Sequence, residues 1–155
     1  MAPAQPLLIG IGNRLRSDDG AGILLAEQVA EQLPGLEVLL CDQLTPELAA
    51  RISQVPAVLF VDAVMPQGNN ACSATAGQPQ LEPLHPAAGG NPGGHALTPA
   101  QVLALCAALY GLCPPAWQLL LPGERWEVGD QLSGRAAAAC RRALPLVQAW
   151  GEHHA

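Results

Sequence analysis

The sequence predicts a three-layer α/β/α domain built on a mainly parallel, twisted sheet of about five strands. Short apolar runs alternate along the chain with stretches whose apolar residues recur at helical spacing. The run Ala57 to Val61 (Ala-Val-Leu-Phe-Val) contains no polar residue, as expected of a parallel strand covered on both faces. At 155 residues the chain fits one domain, 1–155, with no room for a second.

Leu7 to Ile11 reads as a buried first strand. The helix after it, from about Asp19 to Leu33, places Ile23, Ala26, Val29, Ala30 and Leu33 on one face. Pro34-Gly35 ends it, and Leu36 to Leu40 forms the second strand. Thr45-Pro46-Glu47 reads as an N-cap followed by proline at the first helical position, opening a short helix to about Ser53. The third strand, Ala57 to Val61, ends in Asp62.

From Met65 to Gly94 the composition shifts to Gly, Pro, Asn, Ala and Ser, a long loop with a short strand around Pro79 to Leu84. Thr98-Pro99-Ala100-Gln101 is a capping box with proline at the first position. In the helix that follows, Val102, Leu103, Leu105, Cys106 and Leu109 supply the apolar face, and Gly111 is a suitable C-terminal residue. Ala116 to Leu121 is another buried strand. After a polar loop with Glu124, Arg125 and Glu127, Ser133 opens an alanine-rich helix that Pro145 should kink or divide. No internal repeat is present.

Composition narrows the function classes. Half of the residues are apolar and only 3% are aromatic, so aliphatic side chains and alanine fill the core. The net charge of −6, with no basic stripe, argues against nucleic acid. Ala96 to Gly123 lacks charged residues, but Pro99, Gly111, Pro114 and Pro115 divide it into pieces shorter than the roughly 20 residues a bilayer needs. No membrane span or signal peptide is expected. The cysteines at 41, 72, 106, 113 and 140 form no C-x-x-C pair, so neither a zinc ribbon nor a redox motif is supported, and without a signal peptide reduced thiols in the cytoplasm are expected.

Between the first strand and helix lies Gly10-Ile11-Gly12-Asn13-Arg14-Leu15-Arg16-Ser17-Asp18-Asp19-Gly20-Ala21-Gly22. Gly10 and Gly12 begin a dinucleotide fingerprint, but Leu15 stands where its third glycine belongs, and Asp42 is a weak ribose partner. The chain has no lysine, which removes a phosphate loop, Schiff-base chemistry and Ser–Lys catalysis. Two aspartates at the mouth would repel a pyrophosphate, so this loop suits a cation.

In the common flavodoxin-like strand order, strands one and three are neighbours. That order brings Asp18 and Asp19 beside Asp62. Asp18 and Asp19 have a plain alternative role as helix caps, and Asp62 as the start of an Asx turn at a strand end. His95 follows Gly93-Gly94 and precedes the capping box; alone it is an ordinary loop histidine. Together Asp19, Asp62 and His95 form a two-carboxylate, one-imidazole set suited to a divalent first-row metal. His85 is a substitute for His95, while His153 and His154 fall in a frayed tail. With no G-x-S-x-G elbow and no Cys–His arrangement, metal-linked water activation is the simplest hydrolytic route left.

The segment Gly10 to Gly22 resembles the N-terminal signature of the nickel-iron hydrogenase maturation endopeptidases, G-x-G-N-x-L-x-x-D-D-G-x-G. The resemblance continues through Thr45-Pro46-Glu47-Leu48, Asp62-Ala63-Val64, His95-Ala96-Leu97-Thr98-Pro99 and Gly129-Asp130-Gln131-Leu132-Ser133, essentially the whole chain. It implies a cytoplasmic, aspartyl-type, metal-dependent endopeptidase that removes the C-terminal extension of a hydrogenase large-subunit precursor after nickel insertion. By motif position it assigns metal contact and catalysis to Asp19, Asp62 and His95, with Asp18 assisting. The nickel is then supplied by the precursor itself, and the protein is expected to act as a monomer. The alternative is a non-proteolytic nickel-checking or metal-binding partner of the same large subunit.

Overall fold

Leu7–Ile11 forms β1, buried along its whole length. The computed structural model describes residues 4–65, 77–88 and 96–155. After β1 come a 3-10 turn at Ser17–Gly20, α1 (Ala21–Gln32), β2 (Glu37–Cys41), α2 (Leu48–Ile52) and β3 (Val58–Val64). Then follow β4 (Gln80–Leu84), α3 (Pro99–Tyr110), β5 (Ala116–Pro122) and α4 (Gly134–His154).

The strands lie in the order β2-β1-β3-β5-β4. β2, β1, β3 and β5 run parallel, and β4 is an antiparallel edge. β1 and β3 are therefore neighbours, with Gly10 opposite Val61, as the expected order requires.

Side chains alternate across a strand, which divides the core into two layers. Leu8, Leu59, Val61 and Leu119 pack under α1 and α4 against Leu25, Val29, Ala139 and Val147. Leu7, Ile9, Val58 and Phe60 pack under α2 and α3 against Ile52, Val102, Leu103 and Cys106. Burial on both faces is what the unbroken apolar run into β3 demands. Phe60, the largest fully buried side chain, should cost about 3–5 kcal/mol when truncated to alanine.

The first turn of α1 sits directly on the strand ends. A Cβ at Gly22 would lie 2.7 Å from the carbonyl oxygens of both Ile11 and Val61. The Thr98 capping box is present in full, with the Thr98 side chain accepting from Gln101 N and Gln101 Oε1 accepting from Thr98 N. Gly111 closes α3 in the left-handed conformation, at φ 74°.

Four features differ from expectation by more than a one-residue shift. The stretch after β1 makes a 3-10 turn before α1 begins at Ala21, and neither Asp18 nor Asp19 caps a helix with its side chain. α2 begins at Leu48 rather than Pro46, because Thr45 O and Pro46 O first accept from Leu48 N and Ala49 N in a turn. β3 continues past Asp62 to Val64, since Asp62, Ala63 and Val64 pair with Leu120, Leu121 and Pro122 of β5. α4 runs unbroken through Pro145 to His154. Its last turn is not frayed: His154 Nδ1 lies 2.9 Å from Trp150 O, with ring centroids 4.9 Å apart.

Among the described residues, no helix is long and apolar enough to cross a membrane. The charge-free span is divided between α3 and β5, as expected. Cys41, Cys106, Cys113 and Cys140 are free thiols, and Cys72 lies outside the described residues.

Candidate functional site

The turn after β1 is built from its own short hydrogen bonds. Gly12, at φ 146°, turns the chain sharply, and its N–H donates to Cys41 O of β2 at 3.0 Å. Asn13 Oδ1 accepts from Leu15 N at 2.9 Å, an Asx turn that reverses the backbone. Asn13 N donates to Asp19 Oδ2 at 2.9 Å, and Asp19 N donates to Arg16 O at 3.1 Å. One Asp19 oxygen thus anchors the turn.

Asp62 follows Val61, the residue opposite Gly10, and shares the α2/α3 face of β3 with Val58 and Phe60. Its pKa is pushed up to about 7. Burial is the largest cause; a hydrogen bond from the Ala63 backbone opposes it, and the charge of Asp19 adds to the rise. Among the described residues the ion pairs are Arg14–Glu27 and Arg51–Glu37, so neither Asp19 nor Asp62 has a cationic partner. Two mutually repelling carboxylates without a counter-charge form an electronegative pair to which a cation is complementary.

Asp18 has a different environment. It is fully buried. Its Oδ2 accepts from Glu124 N at 2.7 Å, Arg125 N at 3.0 Å and Ser133 Oγ at 2.7 Å, and its Oδ1 accepts from Ser133 N at 2.7 Å. Oδ2 is fully occupied, Oδ1 holds a fourth bond, and the side chain is enclosed by these donors. Asp18 is thus bound into the segment that precedes Gly134, directly beside Asp19.

His95 lies outside the described residues. The described chain resumes at Ala96, and Leu97 pairs with Leu44, beyond the end of β2. His85 does not replace it: Leu84 pairs with Ala116, itself opposite Val58, at the other end of β3 from Asp62. Among the described residues no group of three His, Cys, Asp or Glu side chains is placed to hold a metal. The two aspartates at 19 and 62 supply two members of the expected set.

Sequence reasoning missed two neighbours of the site. Cys41 ends β2, and its thiol is pushed up to about 11, first by burial and then by the charges of Asp42 and Asp62. Its closeness to Asp62 follows from the β2-β1-β3 order, so the predicted topology was the available signal. Ser133 was legible as a helix cap, and its hydroxyl does accept from Ala136 N at 3.2 Å. Its second bond, to Asp18, spans most of the chain and leaves no local signature. Beside the turn, Gly12, Leu15, Leu40 and Asp42 help to line a cleft of about 560 Å³.

No protein-family model and no curated protein matches the sequence. Solved structures do match the fold along nearly its whole length. The hydrogenase maturating endopeptidase HybD from E. coli has a TM-score of 0.73 at 18% identity, over 96% of this chain and 93% of that one. The [NiFe] hydrogenase maturation protease HycI from Thermococcus kodakarensis has a TM-score of 0.71 at 20% identity, covering 96% and 93%. A hydrogenase 2 maturation peptidase from Thaumarchaeota archaeon SCGC_AB-539-E09 has a TM-score of 0.66 at 20% identity, covering 95% and 98%. At these identities the likeness is one of fold.

Proposed function

We propose that this protein is an endopeptidase that removes the C-terminal extension of a nickel-iron hydrogenase large-subunit precursor once nickel has been inserted. The observation that carries this reading is the pairing of Asp62 with Asp19 at the carboxyl ends of β3 and β1, buried in part and without a cationic partner among the described residues. That end of a parallel sheet is where α/β folds bind ligands. The fold shared with the maturation proteases and the signature from Gly10 to Gly22 support the same reading.

Nickel enters as part of the substrate. Asp19, Asp62 and His95 would engage it, two oxygens and one imidazole nitrogen being a donor set that suits such an ion. Engagement of the ion would register the scissile peptide against the site, and the ion, when bound, polarises what it contacts. The protein supplies the rest. Asp62, whose burial raises its pKa in the metal-free protein, would be held ionised by the ion it engages, and its carboxylate would accept a hydrogen bond from a water beside the peptide carbonyl. Asp19, tethered through Asn13 N, keeps its other oxygen available to that water.

The test follows a purified precursor by mass spectrometry, with and without nickel, after adding this protein. A single nickel-dependent loss of a C-terminal peptide is the expected result. Asp62→Asn, Asp19→Asn and His95→Ala should each lower the rate by at least about a hundredfold. Nickel-dependent complex formation without cleavage would instead identify a checking partner, and equal cleavage of the nickel-free precursor would remove nickel from the mechanism.

A further inference from the structure

We propose that Asp18 and Ser133 form a positioning pair that holds Asp19 in line with Asp62. The inference rests on the reading of Asp19 and Asp62 as the reactive site.

All four donors to Asp18 come from residues 124–133, the segment linking β5 to α4. The same segment grips the chain at Asp18 and just before it. Asp18 N donates to Arg125 O at 3.0 Å, Ser17 N to Gly129 O at 2.8 Å, and Gly129 N to Leu15 O at 2.9 Å. Ser17 Oγ donates to Glu127 O at 2.8 Å. Ser17 is thereby kept at φ 51°, a left-handed conformation that a serine rarely adopts unaided.

Asp18 and Asp19 share one four-residue 3-10 turn, Ser17–Gly20. At three residues per turn, successive side chains of a 3-10 turn point roughly 120° apart, so Asp18 and Asp19 face different ways. With Asp18 drawn inward to Ser133, Asp19 is turned outward, where its Oδ2 reaches Asn13 N. Gly123 permits the inward packing: a Cβ there would stand 2.7 Å from the Asp18 Cβ. Ser133 Oγ also caps α4 by accepting from Ala136 N, so the turn is fastened to the longest helix of the fold. Asp18 acts through its neighbour, not on substrate.

Asp18→Asn disturbs a fully buried network, so Ser133→Ala is the primary variant and Ser133→Thr, which keeps the hydroxyl, is the rescue. Two readouts are taken: kcat and KM on the nickel-loaded precursor, and amide hydrogen exchange across the chain. Ser133→Ala should lower kcat by about ten- to a hundredfold with KM unchanged, the scale of a small misplacement of a reacting group. The Asn13 amide should exchange faster while the β1 and β3 amides keep their protection, and Ser133→Thr should restore both. Wild-type cleavage with unchanged kcat and Asn13 exchange in Ser133→Ala overturns the pair. An even loss of protection across β1, β3 and β5 also overturns it, because the role would then be only structural. If the wild-type protein does not cleave, the proposed activity fails, and Asn13 exchange still decides whether Ser133 positions the Asp19 turn.

Discussion

Asp62 on β3 lies close enough to Asp19 on the turn after β1 for the charge of Asp19 to raise its pKa. Nothing local brings them together; the adjacency of β1 and β3 does. A pair of acids that destabilise each other is a cost to the fold, since burial already disfavours the charged form of Asp62. That cost falls at the end of the sheet where α/β domains place their ligands. Asp18, one residue from Asp19, shows the opposite arrangement, an acid with every oxygen satisfied.

The first prediction concerns pH. The native protein holds the Asp62 proton up to about pH 7, whereas an unfolded carboxyl releases it near pH 4. The native state therefore binds more protons between those values, and stability falls as pH rises through that window. Asp62→Asn abolishes this loss. In metal-free protein the variant should gain stability over wild type from pH 5 to pH 8, by up to a few kcal/mol at about 1.4 kcal/mol per pKa unit. Urea unfolding at the two pH values measures it. A variant no more stable than wild type at pH 8 would contradict the assigned burial and repulsion.

Asp18 carries a prediction of opposite sign. Burial alone would raise its pKa, but hydrogen bonds from the Glu124 and Ser133 backbones, the Ser133 hydroxyl and the Arg125 backbone together hold it below the usual carboxylate range. A depressed native pKa contributes stability that is full above about pH 4, the unfolded value, and is lost as pH falls through the native value. Asp18→Asn should lose about 2–4 kcal/mol at pH 7, because an amide can neither carry the charge nor accept at both ends. The difference from wild type should shrink below pH 4. Acid titration of both proteins, followed by circular dichroism, checks it.

The contrast between the two acids shows what the sequence could reveal. The apolar runs at Leu7 and Val58 and the Thr98 box follow from local periodicity and capping chemistry, and with the common flavodoxin-like strand order they place Asp62 beside the Asp18–Asp19 turn. Motif position singled out Asp19 over Asp18, but what turns Asp18 inward was not legible. Its direction is decided by donors at Glu124, Arg125 and Ser133, a hundred or more residues away. The run-on of β3 past Asp62 was hidden for the same reason, since it depends on pairing with Leu120 to Pro122. His95 lies outside the described residues, and its membership in the site rests on the motif.

Two glycines set the separation of the turn from the strands. A Cβ on Gly12 would lie 2.0 Å from Asp19 O, at a φ of 146° that already excludes most side chains. A Cβ on Gly22 would meet the Ile11 and Val61 carbonyls at 2.7 Å, and both obstacles are backbone. Gly22→Ala should therefore lift the start of α1 off the sheet and destabilise by about 1–3 kcal/mol. Gly12→Ala should cost more and displace Asp19 as well. Chemical unfolding gives the order, and a crystal structure of Gly22→Ala showing no movement of α1 would refute the argument.

Pro145 gives the last prediction. Proline inside a helix removes one backbone donor and presses its ring against the preceding turn, yet α4 continues through it from Gly134 to His154. Pro145 is exposed, whereas Ala143, Val147 and Trp150 around it are buried in the layer under α1 and α4. Burial of that face evidently outweighs the lost hydrogen bond. Pro145→Ala restores the donor without touching the buried stripe, so it should stabilise the protein by about 1–3 kcal/mol, up to the difference between proline and alanine within a helix. The urea midpoint should rise with little change in slope. A fall would mean that the proline sets a curvature α4 needs to seat Val147 and Trp150, and the helix would then be shaped by Pro145 rather than merely tolerating it.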